Sequence, residues 1–455
     1  MIDYYFPPLA GAGAQRTLGF VKHLAQFGWR PIILTVHSGD HNFYDASLLE
    51  RIPKAVDVQR TASFEPLKVA RRLFAKPYTE SNRYGPGLHK RMGPLRRAVR
   101  RLRRLEDWLF FPDRSVGWLP FAVARALRIS RGTNIDLVFS TSTAITSHVI
   151  AYLVKTILGK PWVADFQDAW AEHPTFAGRL FPSHFHASMA RRLEGLILQN
   201  SDYVIVTADP LRQTFERRGG KARPRRVAVI PMGYEPAAFE TIRPLQRPKF
   251  TITHFGNFYA SRSPRPFLEG LGKCVRQHAG LAENLDVLFL GTFDPVLRDL
   301  ALNTIDRWGL HDVVHLEGAV PYESGLRLLM SSDVLLIIGD SSEWHRSAIP
   351  AKLFEYLGAR KPILALLPDG PAAEVLREAD AGLLVPPDDD GAIAAAIWDL
   401  YQHGRNGQLT FRMNQRVADR FAWSTLAGRL ASTFDQAFAA RTPGDSKPKL
   451  RSASP

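Results

Sequence analysis

The chain has 455 residues, enough for two or three domains of ordinary size, and its 45% hydrophobic content allows a sizeable buried core. One cysteine, Cys274, excludes an intrachain disulfide framework and suits a reducing compartment. The net charge of +15 suits an anionic partner, whether nucleic acid, an acidic membrane surface or an anionic substrate. No window of about 18 apolar residues predicts a spanning helix, and no charged start followed by an apolar run predicts a secretory leader. The expected localisation is cytoplasmic.

The chain opens on a stub. Met1–Tyr5 runs at once into Phe6-Pro7-Pro8, so the strand expected there is either very short or begins upstream of the stated start. The loop PPLAGAGAQR (7–16) then leads to a helical pattern over Thr17–Phe27. Gly11 and Gly13 let backbone approach a ligand, and a helix start favours an anion. As a dinucleotide fingerprint the loop fails, because Arg16 stands where the third glycine belongs and no acidic partner follows at the right distance. A phosphate-approach loop and a plain tight turn both remain open.

Short apolar runs predict buried strands at Pro31–Val36, Ile135–Ser140, Pro161–Asp165, Asp202–Thr207 and Arg226–Ile230. Helical patterns fall between them at Leu119–Ile129, Ser147–Leu158 and Phe185–Gln199. Between Ser81 and Leu105 there is no acidic residue, while Lys90, Arg91, Arg96, Arg97, Arg100, Arg101, Arg103 and Arg104 crowd its core. Leu95, Val99, Leu102, Leu105 and Leu109 recur there at helical spacing, with Trp108, Phe110 and Phe111 close behind. This reads as a basic amphipathic helix suited to an anionic bilayer, or as a solvated helix packed on a core. Residues 88–111 are the expected membrane contact, which would make the protein peripheral on the inner face of the cell membrane.

After Pro231-Met232-Gly233-Tyr234 a proline-spaced stretch marks a join, and the alternation starts again. Strands are expected at Thr251–Phe255, Asp286–Leu290, Val313–Leu316, Asp333–Ile338 and Pro362–Leu366. Helices are expected at Pro264–His278, Pro295–Trp308, Tyr322–Met330 and Pro350–Leu357. The fold class is α/β, with two doubly wound Rossmann-like domains facing a cleft. The first spans 1–235 and the second 236–440, with the last helix free to pack back on the first. Residues 441–455 are polar and aperiodic and are expected to be disordered.

Ser347-Ala348-Ile349-Pro350-Ala351-Lys352-Leu353-Phe354-Glu355 follows a strand and the polar loop Gly339–Glu343. Pro350 suits a helix start, whose N–H groups can hold phosphates while Glu355 reaches a ribose diol. Asp168 and His148 lie near the edge of the first sheet. Asp168 can meet an acceptor hydroxyl or cap a turn, and a lone histidine is more often a satisfied surface group. Asp388-Asp389-Asp390 reads as a turn and N-cap for a helix over Gly391–Leu400, not as a metal cluster.

The order and spacing of FPPLAGAGAQR, PWVADFQDAW (161–170), VIPMGYEPAAF (229–239), GNFYASRSP (256–264), IPAKLFEYLGARKPILAL (349–366) and AGLLVPPDD (381–389) resemble the group 1, family 4 glycosyltransferases of GT-B type, which include capsule, exopolysaccharide and lipopolysaccharide enzymes. The resemblance spans nearly the whole chain. It implies a retaining transferase that takes a nucleoside-diphosphate sugar, needs no further cofactor and no metal, and serves a saccharide or lipid-linked acceptor. It maps the family's Glu-x7-Glu pair onto Ser347 and Glu355, so the first glutamate is missing. Relatives often carry arginine where Gln167 stands here. The resemblance places the diphosphate cation at Arg262, with Arg265, Lys352 and Arg16 next in line. Expected catalytic residues are Arg262, Asp168 and His148, and expected donor contacts are Gly11, Gly13, Arg16, Arg265, Ser347, Lys352 and Glu355. A nucleotide-sugar 2-epimerase and a non-catalytic scaffold are the rival readings. A nucleic-acid binder is disfavoured, because charge alone supports it.

Overall fold

A computed structural model describes residues 1–37, 44–65, 108–142, 144–171, 181–218, 224–259, 262–406 and 412–440. It divides the described chain into two compact units. The first holds the residues up to Met232 together with those from Trp423 on, and the second holds Gly233–Ala422.

In the first unit, strands β1 (Ile32–Val36) and β2 (Asp57–Thr61) pair in parallel, as do β3 (Val138–Thr141), β4 (Trp162–Phe166), β5 (Tyr203–Val206) and β6 (Val227–Val229) in that order. The opening stub joins the two ladders, since Ile2 bridges Leu34 on one side and Ser140 on the other. β3 and β4 are buried along their whole length and β5 along most of it, which is why they read as continuous apolar runs. β2 is half-buried and polar, DVQRT, and has no such signature. The last helix, Trp423–Ala439, lies on the helix Ala12–His23. A side chain at Gly19 would collide with the Trp423 ring, and Phe20 meets Trp423 edge-on at 5.3 Å. Trp29 adds an edge contact to Phe434 at 5.2 Å and an N–H bond to Asp435.

The second unit is one parallel sheet in the order β12 (Gly382–Val385), β11 (Ile363–Leu366), β10 (Val334–Ile338), β7 (Phe250–Phe255), β8 (Leu285–Leu290), β9 (Val314–Gly318). In chain order this is the 3-2-1-4-5-6 winding of a Rossmann sheet, and it reverses direction between β7 and β10. Ligands of such sheets sit at the carboxyl ends of the strands flanking that switch point. β12 is an edge strand with two exposed residues, and only its motif, not its strand character, shows in the sequence. Cys274 is fully buried in this core, and burial pushes its thiol up to about 11.

Candidate functional site

At the switch point of the second unit, β7 ends in His254 and Phe255 before Gly256, and β10 ends at Ile338 before Gly339 and Asp340. Helix Ala351–Ala359 starts beside them with Pro350 as its cap and no side-chain cap on its N–H groups. Tyr356 ties that helix to both strands, accepting from the Phe255 N–H at 2.8 Å and donating to the Leu336 carbonyl at 3.2 Å. On the same helix Lys352 Nζ donates to His254 Nε2 at 2.9 Å. Arg262 lies over two rings, 4.7 Å from the centre of Tyr259 and 4.5 Å from that of Trp344. Its guanidinium makes no hydrogen bond or ion pair among the described residues. Burial first, and then Arg262, hold the Lys352 ammonium well below the usual lysine range, while Glu355 acts in the opposite direction.

Two histidines complete this cluster, and nothing in the sequence marked them. His254 is 1% exposed and held well below its ordinary value, by burial first and then by Lys352. His345 is buried on the short helix Glu343–Ser347, with Nδ1 on the Asp340 carboxylate at 2.6 Å. Burial lowers it too, while Asp340 pulls the other way. A single histidine in an apolar strand or a five-residue helix carries no periodicity or spacing that would reveal it.

Of the other expected donor contacts, Glu355 is half-buried one turn beyond Lys352. The Ser347 hydroxyl, expected from the resemblance to stand where the family has its first glutamate, donates into its own helix at the Glu343 and Trp344 carbonyls and has only lone pairs left to offer. Arg265 is half-exposed and its charge is already partnered by Glu269 at 3.2 Å, an i,i+4 contact along its own helix.

The first unit corrects two expectations. Arg16 is fully buried. Its Nε and Nη2 clamp both oxygens of Asp165 at 2.8 and 2.7 Å, Nη2 also reaches the Ile230 carbonyl at 2.9 Å, and Nη1 reaches the Pro231 carbonyl at 2.8 Å and the Met232 sulfur at 3.9 Å. That uses the guanidinium's donor fork, so Arg16 is an interior brace with nothing left for a phosphate. His148 is likewise an interior group. Trp162 donates to Ser140 Oγ at 2.8 Å, Ser140 Oγ and His148 Nδ1 share a hydrogen bond at 2.7 Å, and the ring stacks on Phe166 at 4.7 Å. Burial pushes it down to about 3, so it is neutral and closed off from substrate.

Asp168 is half-buried just past β4. Gln167 before it links Thr141 and Thr207, stapling the ends of β3, β4 and β5. Gly11 caps the helix Ala12–His23 at φ 129°, where a side chain would be strained although the space around it is open, and Gly13 is buried inside the helix. A cavity of about 750 Å³ in this unit is lined by Met1, Ile32, Val138, Phe139, Leu158 and Phe434. It opens at the amino ends of β1 and β3, the wrong edge for a Rossmann-type site.

The expected membrane contact falls almost wholly on residues 88–107, outside the described residues. Of its described end, Trp108 and Leu109 are 55% and 69% exposed. Among the described residues no helix is long and apolar enough to cross a membrane. Asp389 caps the helix Asp390–Arg405 through the Ala392 N–H, as its sequence position suggested.

The glycosyl transferase 4-like domain family matches residues 11–233, and the group 1 glycosyltransferases match residues 249–403. The chain belongs to these glycosyltransferases; it is a transferase with a GT-B fold. It is 28% identical over 200 residues to an exopolysaccharide phosphotransferase of Streptomyces coelicolor, covering 43% of this chain but 19% of that relative. Solved structures that share its fold include these three. Sucrose-phosphate synthase of Thermosynechococcus elongatus has a TM-score of 0.60 at 17% identity, over 96% of this chain and 98% of its own. Anabaena HepE, solved with UDP and glucose, has 0.60 at 15%, over 96% and 100%. A Burkholderia xenovorans trehalose-phosphate synthase, solved with glucose-6-phosphate, has 0.59 at 11%, over 95% and 99%.

Proposed function

We propose that this transferase is retaining, and that it moves a sugar from a nucleoside-diphosphate sugar held by the second unit to a saccharide or lipid-linked acceptor in cell-surface polysaccharide synthesis. The observation that carries the reading is the gathering of Arg262 and Lys352 at the switch point, beside a helix start with no side-chain cap. When the bond from the anomeric carbon to the β-phosphate oxygen breaks, negative charge builds on the diphosphate. A guanidinium and an ammonium already in place favour that charge more than they favour the ground state. In this reading Glu355 holds the ribose and Asp168 meets the acceptor. The ligands of the structural neighbours, UDP with glucose in one and glucose-6-phosphate in another, support a nucleotide donor and a saccharide acceptor.

Calorimetry with UDP, GDP and ADP tests the donor assignment. Glu355→Ala is expected to weaken the preferred nucleotide by roughly 1–3 kcal/mol, the cost of losing a charged acceptor. Unchanged affinity would remove Glu355 from the site. The basic run in 88–111 is proposed to bring the enzyme to an anionic bilayer. Flotation with phosphatidylserine vesicles should then fade as salt rises, and should vanish when Arg96, Arg97, Arg100 and Arg101 become Gln.

A further inference from the structure

β7 and β10 pair only at Ile252–Val334 and Thr253–Leu335, so one residue later their ladder is open and the Leu336 carbonyl faces no strand partner on β7. Two side chains take it. Tyr356 donates its hydroxyl at 3.2 Å, and His254 donates Nδ1–H at 2.8 Å. A carbonyl only accepts, so the imidazole proton is fixed on Nδ1 and the lone pair on Nε2. The ring is buried and stacked on Phe258, with centroids 4.6 Å apart, so it holds its orientation. That fixed lone pair is what the Lys352 ammonium meets at 2.9 Å. Gly256 leaves the necessary room, since a Cβ there would stand 2.7 Å from Nζ and 3.0 Å from Cε.

The choice of acceptor matters. A carboxylate at position 254 would hold the ammonium equally well but cancel its charge, and would repel an incoming phosphate. An apolar side chain would leave the ammonium unanchored between Arg262, which repels it, and Glu355, which attracts it. A neutral imidazole orients the ammonium and adds no negative charge. The charged and titratable groups around Lys352 are His254 on β7, Arg262 on the loop that follows, His345 on the helix Glu343–Ser347, and Glu355 on its own helix.

We propose that His254 is a positioning residue that holds the Lys352 ammonium for the donor diphosphate without neutralising it. This rests on the donor-site reading of the second unit. Substitutions at His254 separate anchoring from charge. His254→Gln can still donate to Leu336 and accept from Lys352. His254→Glu anchors but neutralises, and His254→Phe keeps the stacking and loses both bonds.

The test titrates UDP, GDP and ADP into the parent and the three variants by calorimetry. His254→Gln should stay close to the parent in affinity. His254→Glu and His254→Phe should bind about tenfold more weakly or worse. Equal affinities for the Gln and Glu variants would overturn the proposal even if His254→Phe fails to fold.

A ligand-free arm reads the contact itself. The pH at which Lys352 becomes reactive to acetic anhydride, followed by mass spectrometry, should rise in His254→Glu and hold in His254→Gln. No change in His254→Glu would overturn the contact. Failure of all three nucleotides to bind the parent would instead overturn the donor-site reading, and the proposed ligand with it.

Discussion

Arg16 in the first unit follows the opening stub and Arg262 in the second follows β7, yet they live in opposite surroundings. Arg16 is fully buried and clamped by Asp165, with backbone carbonyls taking its remaining donors. Arg262 rests on the Tyr259 and Trp344 rings, which steady the cation without neutralising it. Lys352 repeats the second arrangement with a neutral imidazole in place of a ring. In both units the group is a cation; the acceptor it meets differs. A cation given a buried carboxylate has become part of the scaffold, and a cation held by neutral groups keeps its charge for something else.

The largest effect that can break this comparison is on stability. Arg16→Ala leaves the Asp165 carboxylate buried without its partner and should cost about 3–5 kcal/mol in denaturant unfolding. Replacing both, as Arg16→Met with Asp165→Leu, should recover much of that loss. A stable Arg16→Ala protein that had lost nucleotide affinity would mean the two arginines share one role.

Next comes turnover. Arg262→Ala should lower kcat by about 10²-fold or more with a smaller change in donor affinity, the size expected for one transition-state donor. Full turnover in that variant would move the role to Lys352.

The smallest effect concerns Asp3, fully buried at the end of the opening stub, where burial pushes its carboxyl up to about 7. Its folded pKa lies above the unfolded value, so its contribution to stability is complete below about pH 4 and is lost as pH rises toward 7. Asp3→Asn should therefore gain on the parent by about 1–2 kcal/mol between pH 6 and pH 8. Parallel stability curves for the two proteins would show that Asp3 does not titrate in this range.

Much of the fold is legible in the sequence because parallel strands are covered on both faces. The centres of PIILTV and DYVIVT and the run ending in LLII are apolar for that reason, and the helices between them carry their own period. What escaped is what lies at the edges. β2 is DVQRT, half-wet and polar, and β12 is short and partly exposed. The site is less legible. Arg262 and Lys352 stand out because each follows a strand or opens a helix at a recognisable motif. The fate of Arg16 depends on Asp165, 149 residues away, and no local pattern predicts that pairing. His254 owes its role to one carbonyl that the ladder releases, and His148 to a serine shared with a tryptophan. Such bonds are made by the third dimension alone.

The central claim is that the donor diphosphate meets the cations of the second unit and not Arg16. Titrating UDP, GDP and ADP into the parent and into the Arg262→Ala/Lys352→Ala double variant tests it most directly. The account predicts measurable binding of at least one nucleotide by the parent and a loss of about 10²-fold or more in the double variant, with thermal stability unchanged. Parent-like affinity in a folded double variant would contradict it.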